Sequence, residues 1–94
     1  MVAWVTFNEA DVHFTTGAMH EYQSSEGVTR GHCGRCGSGI SYRVRRRPGD
    51  IDLTLASMDD PGAFTPTVHI WVADKLSWLV ICDDLPQYPH TVSA

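Results

Sequence analysis

His32-Cys33-Gly34-Arg35-Cys36-Gly37-Ser38-Gly39 runs straight into Ile40-Ser41-Tyr42-Arg43-Val44-Arg45. Two cysteines separated by two residues, with a glycine behind the second, make the kind of turn that aims two thiolates at one metal ion. The backbone has to fold tightly behind the second Cys at positive φ, which glycine enters without a Cβ penalty, and Gly37 stands there. Gly34 is permissive, and Gly39 loosens the exit into the next segment. A redox dithiol would set its first Cys at the start of a helix within a βαβ unit. Here Ile40, Tyr42 and Val44 alternate with Ser41, Arg43 and Arg45, which is a strand period. The pair is therefore expected on a turn between strands, as metal ligands in preference to two reduced, unliganded cysteines on a surface loop.

Outward from this turn the same period recurs. Ile51, Leu53 and Leu55 form one face of the clearest strand, with Asp52 and Thr54 on the other. Met1 to Phe7 is apolar and rich in β formers, as a strand buried on both faces would be. Val12 and Phe14 alternate with His13 and Thr15 up to Gly17, a polar strand is expected from Met19 to Gln23, and Val28 to His32 leads into the cysteine turn. Val68, Ile70 and Val72 alternate with His69 and Trp71, and the apolar run Trp78 to Cys82 ends at Asp83-Asp84. Pro48-Gly49-Asp50 reads as a tight turn with Pro second and Gly third. Asp59-Asp60-Pro61-Gly62-Ala63-Phe64 reads as a capped single helical turn, Asp suiting the N-cap and Pro the first helical position. The expectation is one all-β domain over 1–94 built from antiparallel strands.

Composition narrows the function classes. Ninety-four residues make a core that is adequate but not generous, so a metal staple would matter to stability. A formal net charge of −4 argues against a nucleic-acid partner. The one basic run, Arg43 with Arg45, Arg46 and Arg47, meets the Pro-Gly turn and reads as solvated charge at a hairpin end, an anion site being the second reading. Three cysteines make no disulfide framework, and no apolar run is long enough to span a bilayer. With no secretory leader pattern at Met1, the expectation is a cytoplasmic protein with no membrane partner.

Several stretches, taken in order, resemble a known family. They are Val2-Ala3-Trp4-Val5-Thr6-Phe7, Tyr22-Gln23-Ser24-Ser25, Val28-Thr29-Arg30-Gly31-His32-Cys33-Gly34-Arg35-Cys36-Gly37-Ser38, Ile51-Asp52-Leu53-Thr54-Leu55-Ala56-Ser57-Met58-Asp59-Asp60-Pro61, His69-Ile70-Trp71, and Trp78 with Leu85-Pro86-Gln87-Tyr88. Together they resemble the carboxy-terminal two-thirds of the glutathione-dependent formaldehyde-activating enzyme family, also called the centromere protein V domain family. The resemblance implies an Mss4-like all-β fold and zinc as cofactor. It places Cys33 and Cys36 on a structural four-cysteine metal. It also implies a carbon-sulfur lyase acting on S-hydroxymethylglutathione, with glutathione as the small thiol substrate. The family's CxCxxC cluster for the catalytic zinc, and its other structural cysteine pair, lie upstream of the segment that Met1 to Phe7 resembles. The chain is accordingly expected to be a family member lacking its amino-terminal part. The alternative is a catalytically incompetent β-scaffold whose zinc knuckle serves as a binding module.

The remaining candidates have simpler readings. His32 adjoins Cys33, but neighbours on a strand face opposite ways, so the two should not share a metal. His13 and His20 are remote in sequence, and each is expected as a partly exposed strand histidine in preference to a ligand that approaches in space. Cys82 is expected as a small buried hydrophobe, the tryptophans as core and rim packing, and His69 as a structural or exposed histidine. Loss of family strands would expose a sheet edge, which predicts a homo-oligomer, and two copies of Cys33 and Cys36 could share one ion.

Overall fold

Alternating β-branched, aromatic and polar residues at a period of two pair into one antiparallel sheet in the computed structural model, which describes residues 1–17 and 19–92. Its strands are β1 (Trp4–Asn8), β2 (Met19–Ser25), β3 (Val28–Cys33), β4 (Gly39–Val44) and β5 (Asp50–Thr54), in the order β1-β5-β4-β3-β2. The protein is all-β, and its helical pieces are single 3-10 turns. Two compact units make up the chain, Met1–Phe64 with the sheet and a carboxy-terminal unit from Thr65.

Turn chemistry fixes the hairpins. Gly27 (φ 73°) closes the link between β2 and β3, and Gly49 (φ 86°) closes the link between β4 and β5, where Asp50 N–H donates to Arg47 O at 3.3 Å. Positive φ at the third position of Arg47-Pro48-Gly49-Asp50 is the turn geometry the sequence called for. Two irregularities reset the register. One residue is extra in β2 between Gln23 and Ser25, and one in β4 beside Gly39, so that Met19 lies opposite Cys33, His20 opposite His32 and His32 opposite Gly39. Arg30 Nε donates to Ser24 Oγ at 3.2 Å across the first bulge.

The tightest packing lies where β2, β3 and β4 meet. Gly31 and Ser41 are buried opposite one another, and a Cβ on Gly31 would collide with Ser41 Oγ and come within 2.9 Å of Met19 Sδ. Ile51, 3% exposed, lies on β5, and Phe7 meets Phe64 edge-on at 5.9 Å. On the other face Thr6 donates to Asp52 at 2.6 Å, and Asp52 receives Arg47 Nη2 at 2.8 Å.

Several expectations change. Met1 and Val2 are exposed and β1 alternates between exposed and half-buried, because it is an edge strand paired only with β5. Val12 to Thr15 is irregular rather than a strand; after the 3-10 turn Glu9–Asp11 no strand pairs with it. The turn Pro61–Ala63 forms with Pro at its start, but the Asp60 side chain makes no cap hydrogen bond. Arg43 and Arg47 are not simply solvated: Arg43 pairs with Glu9 and Glu21, and Arg47 with Asp50 and Asp52, whose carboxylates raise both guanidinium pKa values further above their ordinary range. Arg45 and Arg46 remain exposed.

In the carboxy-terminal unit, Val68–Val72 is no strand. His69 makes a single parallel bridge to Gln87, and Trp71 takes a left-handed conformation (φ 57°) that opens the 3-10 turn Val72–Asp74. The facing segment carries Pro86 and Pro89, which have no N–H to extend a ladder. Main-chain bonds from His69 to Pro86 (2.9 Å) and from Trp71 to His90 (3.0 Å) are made instead. Cys82 is exposed rather than buried, and Trp78 is 74% exposed, since the run Trp78 to Cys82 belongs to no sheet.

Candidate metal centre

Cys33 ends β3, and Cys36 stands on the turn before β4. The turn is closed at both ends by main-chain bonds, Cys33 N–H to Ser38 O at 2.8 Å and Gly37 N–H to Cys33 O at 2.9 Å, with Gly37 at φ 80°. This is the conformation expected behind a second ligand cysteine. Both sulfurs already receive polar support. Arg35 N–H points at Cys33 Sγ over 3.4 Å, and Cys36 Sγ lies 3.2 Å from Ser38 Oγ. The Cys36 thiol is held below its ordinary pKa, first by the Ser38 hydroxyl, then by the Ser38 backbone and by Cys33, so the deprotonated form a metal needs is favoured there.

The donor set is two thiols, half of a closed tetrahedron. Among the described residues, no group of three or more His, Cys, Asp and Glu side chains gathers where one ion could be held. His32 does not join the cysteines. It lies opposite His20, with ring centroids 5.8 Å apart, while Cys33 lies opposite Met19 on the other face, as strand alternation requires of neighbours. His13 sits exposed in the irregular segment after Asp11.

The sheet unit also carries an open depression of about 320 Å³. Val12, Phe14, Met19 and Ile51 give it an apolar floor, and Glu9, Glu21 and Arg43 its polar rim. Arg43 donates to Glu9 at 3.2 Å and also to Glu21, so its charge is already met by two carboxylates. The depression is therefore a poor anion site.

The family description "Glutathione-dependent formaldehyde-activating enzyme" matches residues 1–74, which include all five strands and the cysteine turn. The chain belongs to this family. No curated protein matches it. Within the family stretch, Cys33 and Cys36 are the two described thiols that one turn brings together, whereas Cys82 lies outside the matched residues. In the carboxy-terminal unit His69 is structural: its side chain is 15% exposed and its Nε2 lies 2.8 Å from Asp83 Oδ2. The closeness of His20 and His32 was not legible in the sequence. A plain hairpin closed by Glu26-Gly27 would set His20 against Cys33, and the bulge before Ser25 moves the pairing by one residue. No helix among the described residues is long and apolar enough to cross a membrane.

Proposed function

We propose that this chain serves the chemistry of its family, carbon-sulfur lyase action on S-hydroxymethylglutathione, with zinc held at Cys33 and Cys36. The observation that carries the reading is the preformed two-thiol turn inside the matched stretch. A zinc ion there would be structural by the family resemblance, tying β3 to β4, with this turn supplying two of its four ligands. The thiol substrate on this reading is glutathione or a close relative, met in the cytoplasm. Self-association belongs to the same reading, since β1 and β2 are the outer strands of the sheet and their unpaired main chain can add a further strand.

A second reading, a β-scaffold that binds without catalysis, is favoured by one specific observation: no group of three or more metal ligands gathers among the described residues. One experiment separates the two. Formaldehyde labelled with carbon-13 is mixed with glutathione, and exchange between the free aldehyde and its thiol adduct is followed by NMR with and without the purified chain. Faster exchange, with zinc retained in proportion to intact Cys33 and Cys36, supports the lyase. Zinc retained with exchange at the uncatalysed rate supports the scaffold. Zinc content unchanged by Cys33→Ser and Cys36→Ser together would remove the metal assignment from both.

A further inference from the structure

Away from the cysteine turn, one cluster of ligating side chains is unexplained by anything above. His20 on β2 and His32 on β3 are directly opposite one another, and their rings meet edge to face with centroids 5.8 Å apart. Tyr22, next along the same face of β2, also meets His32, with ring centroids 5.9 Å apart. His20 is exposed and His32 half-buried, so the pair opens to solvent. Neither imidazole is hydrogen-bonded to protein among the described residues, in contrast to His69 on Asp83. Arg30, two residues before His32 on the same face of β3, is held over the Tyr42 ring at 4.9 Å and bonded to Ser24.

We infer that His20 and His32 form a second metal site, a two-imidazole chelate for a borderline divalent transition ion such as Ni²⁺, Cu²⁺ or Zn²⁺. Facing residues on antiparallel strands have Cβ atoms about 5 Å apart, which lets two imidazoles turn one nitrogen each toward a common ion. Imidazole suits these metals, and the positions left over are filled by water. Once one ring holds the ion the second binds intramolecularly, so the pair acts as a unit. The site is distinct from the thiol turn because His32 and its neighbour Cys33 face opposite sides of β3. Its existence depends on the β2 bulge. Without that extra residue His20 would oppose Cys33.

Ni²⁺ is the probe. The chelator-treated full chain, with Cys33, Cys36 and Cys82 replaced by Ser to silence thiol binding, is titrated calorimetrically. The expected result is one Ni²⁺ per chain, weakened about tenfold or more by His20→Gln or His32→Gln. The double variant should lose no more than either single, which independent weak sites would not produce. In unsubstituted protein with its thiols blocked by alkylation, sub-stoichiometric Ni²⁺ should broaden the ring resonances of His20 and His32 before those of His13, His69 and His90, a readout that needs no variant to fold. Binding indifferent to both histidine substitutions, broadening spread evenly over the five histidines, or loss of all Ni²⁺ binding with the cysteines alone would overturn the site.

Discussion

Asp50–Thr54 and Val68–Val72 both place aliphatic residues at every second position, and they end differently. The first becomes β5, hydrogen-bonded on both sides to β1 and β4, with Ile51 buried. The second keeps one isolated bridge, turns left-handed at Trp71 and leaves Ile70 45% exposed. Alternation states which side chains would share a face; it does not supply a neighbour. β5 has neighbours with free N–H and C=O groups along their length. Val68–Val72 faces a stretch broken by Pro86 and Pro89, where a ladder stops after a few bonds.

Truncating the corresponding residue in each region should give the largest contrast. Ile51→Ala should cost about 3 kcal/mol, the loss from a packed site, whereas Ile70→Ala should change stability by less than about 0.5 kcal/mol. Urea unfolding of the two variants checks this, and equal shifts would show that the second region packs as firmly as the first. Next in size is Gly31→Ala, expected to cost about 2 kcal/mol because a methyl group there is driven into Ser41 and Met19. Gly39→Ala, with open space around its Cβ, is the matched control. If the two glycine variants melt together, the crowding at Gly31 is not limiting.

The smallest effect probes the carboxy-terminal unit alone. Asp83 is held below the ordinary carboxylate pKa of 3.8, first by its bond with His69 and then by Leu85 N–H. A depressed carboxylate stabilises the folded state above its unfolded pKa, and that contribution is lost as pH falls through the lower folded value. The carbon-13 carboxyl resonance of Asp83 should therefore titrate below 3.8 and move back up in His69→Ala. A midpoint unmoved by that substitution would mean the pair does not order this unit.

Much of the sheet was legible because its signals are local. Gly27, Gly37 and Gly49 each sit where the chain needs positive φ, and the runs from Met19, Val28, Ile40 and Ile51 alternate between those turns. The cysteine turn was legible for the same reason: its spacing, its glycine and its strand flanks all lie within fourteen residues of sequence, 32–45. Less of the burial could be read. Met1 to Phe7 has the composition of a central strand, yet it lies at an edge, and Cys82 in an apolar run is exposed. Edge or centre, buried or open, depends on which other segment arrives alongside.

Local signals in the chain were enough for the all-β class, the hairpin turns and the bend that carries Cys33 and Cys36, because backbone conformational preference and two-residue periodicity act over a few neighbouring residues. The strand order, the ion pairs that capture Arg43 and Arg47, and the meeting of His20 with His32 came from packing between segments. Strand order depends on which segments arrive alongside one another, and the histidine pair depends on register, which a single bulged residue shifts by one place.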